Sequence, residues 1–228
     1  MSLEINSVFD QRAAVHAARL GWVASPMAGV ERRMLDRIGD EVARATSIVR
    51  YAPGSRFAAH THGGGEEFFV LEGIFQDERG DYPAGTYVRN PPTSRHTPGS
   101  ERGCVILVKL WQFQPDDRRH VVVDTRSLEA RPLPDRPGVA VIPLHAGPYE
   151  VVRIEHWAPD RQISLHGHGG FEALVLDGSF TEADAMFTYQ SWLRLPPSAT
   201  LSAKAGEDGA RVWIKTGHLS GMQAAPPK

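Results

Sequence analysis

Residues 54–73 read GSRFAAHTHGGGEEFFVLEG: two histidines one residue apart, His60 and His62, then three glycines, then Glu66. In a β-strand alternate side chains face the same side, so a strand through this stretch points His60 and His62 into one cavity. Three consecutive glycines let the backbone turn tightly and swing Glu66 towards the same point. Pro91 and, five residues on, His96 supply a distant third imidazole. Two neutral imidazoles, a carboxylate and a third imidazole form a ligand set for one divalent transition metal. Counting from His62 selects Glu66 over its neighbour Glu67, which alternation turns the other way. His16, His120, His145, His156 and His218 lie outside this pattern and read as ordinary surface or core residues.

The pattern occurs twice. YAPGSRFAAHTHGGGEEFFVLEG in the first half faces HWAPDRQISLHGHGGFEALVLDG in the second, and VRNPPTSRH faces LRLPPSATL. Self-similarity at such a period signals a duplicated domain. Matched on its histidines, the second copy offers His166, His168 and Glu172 as a lower-grade set, with one residue lost after its glutamate. Asp160 then stands for Gly54, which puts the tight entry turn in question, and Leu201 stands for His96, so the last imidazole is missing. Two histidines and a carboxylate still form a competent set for a second metal. The expectation is an empty second site, or one completed by solvent.

The first motif also resembles a known family. Gly54, His60, His62, Glu66 and Gly73, followed by Gly85, Pro91 and His96, match the two cupin motifs in spacing, with Thr93 and Ser100 where the family often has glycine and asparagine. The runs HTHGGGEEFFVLEG, FQDERGDYPAGTYVRNPP and CVILVKLW are similar to the ChrR-type cupins. The resemblance implies a double-stranded β-helix, that is, two jelly-roll (cupin) barrels in tandem, a bicupin with the metal inside the first barrel. It also implies a regulatory setting, because in that family a zinc-binding cupin follows an anti-sigma domain that holds its own zinc through histidine and cysteines. Only about 20 residues precede the similarity here and the chain has one cysteine, so the reading is of a free-standing, duplicated cupin part.

An all-β architecture follows without the resemblance. SIVRYAP, FFVLEG, TYVRNPP, CVILVKLW, HVVVDT, VVRIEHW, ALVLDG and RVWIKTG are short, rich in Val, Ile and aromatic residues, and bounded by glycine and proline. Helical spacing shows only near residues 10–20, where Ala13, Ala14, Ala17, Ala18 and Leu20 suggest one short helix. The 228 residues, 41% of them hydrophobic, have room for two cores. The expected division is an extension over 1–22, a first barrel over 23–115, a linker over 116–138 where charge and proline concentrate, and a second barrel over 139–220.

The formal net charge of −2 gives nucleic acid no electrostatic footing. No apolar run is long enough for a transmembrane helix, and MSLEINSVFDQ lacks the form of a signal peptide. A single cysteine, Cys104, excludes an internal disulfide and fits a cytoplasmic setting. Cys104 reads first as a small buried hydrophobe, and second as an oxidisable thiol beside the metal. Cupin barrels leave strand edges that a partner sheet commonly covers, so a homodimer is expected.

Two functions compete, and the resemblance puts the first ahead of the second. In one, the barrel is a binding or sensing module responsive to an oxidant or small molecule, with zinc the favoured metal. In the other, it is a metal-dependent dioxygenase or oxidoreductase acting on a small organic substrate, with iron the favoured metal. Histidine and carboxylate suit zinc, iron, nickel and manganese alike, so the donor set does not separate them. No catalytic acid or base stands out beyond the ligands. Arg56, Tyr87 and Arg89 are the side chains that an anionic ligand would meet on this reading. A sugar-processing cupin is a third reading that no particular residue supports.

Overall fold

Along Arg44–Tyr51 every second residue, Ala45, Ser47, Val49 and Tyr51, faces Leu110, Val108, Ile106 and Cys104 of the antiparallel strand Cys104–Leu110. That alternation closes one barrel, and a second stretch of chain repeats it. The computed structural model describes residues 2–222, and no α-helix occurs among them. The chain divides into two units: residues 2–7 with Leu20–Ser127, and Val8–Arg19 with Leu128–Met222.

Each unit is built on the same ladder of seven antiparallel strands. In the first, the order is Glu4–Ile5, Val30–Ile38, Arg44–Tyr51, Cys104–Leu110, Glu66–Asp77, Thr86–Asn90 and Val121–Asp124. In the second, it is Arg131–Pro132, Val139–Ala146, Val151–Trp157, Thr200–Thr216, Phe171–Glu182, Ser191–Leu195 and Ala13–His16. The glycine closing each motif sits at the bend of the long strand. Gly73 has φ 70, and a Cβ there would lie 2.1 Å from the Gly103 carbonyl oxygen. Gly178, at φ 67, has the same constraint against Gly209, at 2.2 Å. Only glycine permits both that conformation and that approach.

The helix expected near residues 10–20 does not form. Ala13–His16 is a strand paired with Ser191–Leu195, and only Ala17–Arg19 turns, as one 3-10 turn. A strand edge in need of partners outweighs the weak local preference of four alanines. Strands also occupy the segments read as extension and linker. Ala13–His16 completes the second ladder, and Val121–Asp124 completes the first against Thr86–Asn90. VVVD is the strand run HVVVDT already expected from the sequence, and it lies inside the segment read as linker.

The interiors differ. The first barrel packs Phe68, Val70, Phe75, Tyr82, Val88 and Ile106 around its base and leaves polar groups above them. The second is apolar through most of its depth, from Trp157 and Phe180 to Phe171, Leu195 and Leu201. Among its buried charged groups is Glu155, fully buried, which accepts hydrogen bonds from Arg136 at 2.7 and 2.8 Å, Arg153 at 2.8 Å and the Trp157 indole at 2.7 Å. Burial alone would raise its carboxyl, but those donors hold it below the usual carboxylate range.

A carboxyl depressed on folding contributes stability above its unfolded pKa, and that contribution is lost as pH falls through the folded value. Glu155→Gln is therefore expected to cost about 3 kcal/mol at neutral pH, because two guanidiniums lose their counter-charge. In urea denaturation followed from pH 7 into acid, the difference between variant and wild type should shrink below about pH 4. A constant difference across that range would remove Glu155 as an ionised anchor.

Candidate metal centre

His60 lies on the short strand His60–Thr61, directly opposite His96 on Arg95–His96. His62 follows one residue on, and its N–H donates to the Ser94 carbonyl at 2.9 Å. The three rings meet edge to face, with centroids 4.8 Å (His60–His62), 5.1 Å (His60–His96) and 4.7 Å (His62–His96) apart. One nitrogen from each lies within 4.8 Å of the other two. Glu66, at the start of the long strand, puts Oε2 3.5 Å from Nε2 of both His62 and His96, and Asn90 donates to that oxygen at 3.1 Å. Its neighbour Glu67 faces away and accepts from the Tyr87 hydroxyl at 2.5 Å.

The glycine run has a packing reason. A Cβ on Gly64 would lie 2.4 Å from the Trp111 ring, and one on Gly65, at φ 77, 2.4 Å from the Phe113 ring. The missing side chains let two aromatic rings lie against the turn that delivers Glu66. Thr93 holds the other loop. It adopts φ 72, unfavourable for a β-branched residue, and donates its N–H to the His62 carbonyl at 2.8 Å.

Nε2 of His62 and Nε2 of His96 are buried without a hydrogen-bond partner. Buried polar atoms are ordinarily paired, so two orphaned imidazole nitrogens beside a carboxylate are the signature of a cation site. Two of the Nδ1 atoms are anchored: His60 Nδ1 meets the Ala58 carbonyl at 3.1 Å, and His96 Nδ1 meets Asp77 at 3.2 Å. A carbonyl can only accept, so His60 carries its proton on Nδ1 and presents Nε2 as a lone pair; the Asp77 carboxylate sets His96 the same way. Burial holds His62 below its ordinary pKa, against the pull of Glu66, which keeps it neutral and able to ligate. Burial would lower His96 too, but the Asp77 hydrogen bond and the charge of Glu66 leave it raised. The residues present thus fit a divalent transition ion.

A cavity of about 500 Å3 opens onto this group in the first unit. His60, His62 and Glu66 form part of its wall, and Val30, Val49, Phe57, Ile106 and Trp111 line much of the rest. Cys104 is not in that wall. It packs with the aromatic core, and burial pushes its thiol up to about 11, so it is an inert hydrophobe and not a reactive thiolate. The three side chains that sequence nominated for an anion are elsewhere: Arg56 is exposed near Glu101, Tyr87 is held by Glu67, and Arg89 pairs with Asp117 at 3.0 Å. The cationic side chains that do line the cavity are Arg32 and Arg37. Sequence reasoning passed over them, along with Asp77 and Asn90.

The second set, His166, His168 and Glu172, is corrected by the strand register. Glu172 stands opposite Arg194 and Lys215, as Glu67 stands opposite Arg89 and Lys109. Phe171, opposite Leu195 and Thr216, holds the place of Glu66, opposite Asn90 and Leu110. Leu165 faces Leu201 as His60 faces His96. Gly167 donates to the Ala199 carbonyl as His62 does to that of Ser94. The residue missing from the second copy therefore lies before its histidines, not after its glutamate. Arg56 and His60 enclose Phe57, Ala58 and Ala59, whereas Gln162 and Leu165 enclose only Ile163 and Ser164. A one-residue slip turns every side chain to the opposite face. His166 and His168 consequently sit together on the exposed side, centroids 4.1 Å apart, and Glu172 is buried against Trp192 and His218. Asp160 keeps the entry turn after all, at φ 56 where Gly54 has φ 79.

Solved structures share this fold. A candidate dioxygenase from Nostoc punctiforme is 15% identical with a TM-score of 0.74, over 97% of this chain and 89% of that one. The bacterial pirin of Escherichia coli in complex with nickel(II) is 15% identical with a TM-score of 0.63, over 91% and 99%. The oxalate decarboxylase of Lactobacillus farciminis, a formate complex, is 11% identical with a TM-score of 0.62, over 90% and 86%. Such identities establish the fold alone. Comparison with curated proteins gives no match. The ChrR Cupin-like domain family matches twice, over residues 10–114 and 118–220, and with both barrels accounted for the chain belongs to that family.

Proposed function

We propose that the first barrel holds one divalent transition metal through His60, His62, Glu66 and His96, and acts as a metal-dependent oxidoreductase of the dioxygenase type on a small organic molecule. The observation that carries this reading is the cavity: a substrate-sized space with mostly apolar walls ends on the wall that carries the ligands. A structural ion has no use for such a space. The oxidant-sensing alternative loses its most direct element, because Cys104 is buried away from the cavity and its thiol stays protonated. The solved neighbour described as a candidate dioxygenase agrees with the enzyme reading at the level of fold.

The chain's own residues divide the work. His60 and His96 are held with one nitrogen free by Ala58 and Asp77. Asn90 orients Glu66. Phe57, Trp111 and the valines exclude water from whatever is bound, which strengthens each polar contact inside. When bound, the metal supplies a Lewis acid and, in the case of iron, a redox couple for dioxygen.

Elemental analysis of protein purified without an affinity metal column should give one transition metal per chain. His62→Ala should abolish most of that content, whereas a His166→Ala, His168→Ala double variant should keep it. Equal loss in both would restore the second site. Asp77→Asn should weaken metal affinity by about tenfold or more, because it loosens the ring that His96 presents. Iron-reconstituted protein should consume oxygen with a small aromatic or diketone substrate in an oxygen electrode, and Glu66→Ala should end that turnover. Zinc as the resident metal, with oxidants shifting stability and no turnover across the panel, would favour the sensing module instead.

A further inference from the structure

The strand Val30–Ile38 carries VERRMLDRI, and strict alternation would put Arg32, Met34 and Asp36 on one face and Arg33 and Arg37 on the other. The ladder breaks that alternation. Its register shifts between Met34 and Asp36, with Met34 opposite Ser47 and Asp36 opposite Thr46. The extra residue, Leu35, is a β-bulge, and everything after it changes face. Arg37 is thereby aimed inward beside Arg32, and both line the cavity of the metal centre.

Arg37 is 3% exposed. Its Nε donates to the Gly39 carbonyl at 2.9 Å, and its Nη2 is buried without a hydrogen-bond partner. Burial, first, and then the neighbouring Arg32 lower its pKa, against the pull of Glu41 and Asp40. Glu41 lies nearby but is engaged at 3.3 Å by Arg32. Arg37 also lies level with the metal ligands: it faces Ala45, which faces Leu110, which faces Glu66, one row across four strands. At about 4.8 Å per strand, that row spans about 14 Å along the curved sheet, with both long side chains reaching into the space between.

The second barrel acts as an internal control. Ala146 holds the place of Arg37, opposite Val151, and Val141 holds that of Arg32, opposite Glu155. The copy that lost every metal ligand has also lost both arginines. Where it holds half-buried guanidiniums, Arg136 and Arg153, it provides the carboxylate itself as Glu155, in the place of Val49. The fold therefore accommodates a guanidinium–carboxylate pair inside a barrel, here two inward positions along the strand from the row of Arg37. In the first barrel Glu41 goes to Arg32, and Nη2 of Arg37 is left for a carboxylate brought in from outside.

We propose that Arg37 is a ligand-binding residue and that the molecule entering this cavity is a small, largely apolar organic acid, its carboxylate on the Arg37 guanidinium and its other end towards His60, His62, Glu66 and His96. This rests on the metal-centre reading above and names its substrate class. The pairing is a charge-assisted, two-pronged hydrogen bond, which arginine makes and a neutral ligand does not reciprocate.

The test uses benzoate and its neutral counterpart benzamide as probes, measured by titration calorimetry on metal-loaded wild type, Arg37→Gln and Arg37→Lys. The expected result is benzoate binding about tenfold or more tighter than benzamide to wild type. Arg37→Gln should erase that preference with metal content unchanged, and Arg37→Lys should restore part of it. In protein labelled with 15N-arginine, benzoate should shift the Arg37 side-chain resonances, a readout that needs no variant to fold. Equal binding of the two probes, binding of neither, a benzoate preference that survives in Arg37→Gln, or unmoved Arg37 resonances would overturn the proposal. Wild-type protein that prefers benzoate through Arg37 yet takes up no metal would overturn the metal centre and leave the acid-binding role standing.

Discussion

Strand register decides what each barrel can do. In an antiparallel ladder one residue more or less exchanges the inner and outer faces, so a motif written as histidine–any–histidine has meaning only together with the length of chain before it. Phe57, Ala58 and Ala59 are what put His60 opposite His96 in the first barrel. With one residue fewer, Leu165 faces Leu201, and the histidines of the second copy look outward. The same rule runs in reverse at Leu35, where one added residue turns Arg37 inward. A single-residue change on one strand removes a ligand pair, and a single-residue change on another supplies a cation.

The two interiors then follow opposite energetic strategies. A buried charge or an unpaired imidazole is costly unless something answers it. The second barrel answers internally, with apolar residues at the ligand positions and Glu155 between Arg136 and Arg153. The first keeps His60, His62, Glu66 and two guanidiniums, Arg32 and Arg37, on the wall of an open space, with His96 beside them. Nε2 of His62 and of His96, Nε of Arg32 and Nη2 of Arg37 are without a hydrogen-bond partner. Those groups are a standing cost to folding of the kind proteins retain where a ligand completes the set.

Much of this was legible from residues alone, for identifiable reasons. The all-β class, the duplication and the family were carried by short β-branched runs and by a motif long enough to be specific. That His60, His62 and His96 come together, with Glu66 beside them, was readable because one copy keeps all four at the family spacings, and Glu66 was separable from Glu67 by simple alternation. The second copy misled because aligning identical letters, His with His and Glu with Glu, gives the wrong register. HTHGGGEE and HGHGGFE align better by face, with Glu172 on Glu67 and Phe171 on Glu66. Ala13–His16 was misread for a related reason: alanine spacing carries little information beside an unpaired sheet edge.

Arg37 was out of reach for a different reason. Nothing in VERRMLDRI announces a bulge, and without it Arg37 counts to the outside of the sheet, beside Arg33, which stacks on Trp22. Asp77 was hidden by distance, since a residue 19 positions before His96 contacts its ring only because the long strand bends at Gly73 and carries Asp77 back to it. The residues proposed to ligate are marked by their own chemistry and can be found by pattern. The residues that aim them, or that the cavity offers to a ligand, are ordinary charged residues whose place comes from bends and bulges. Comparing two copies of one fold within one chain exposes them, because Arg32 and Arg37 are absent from the copy that lacks the ligands.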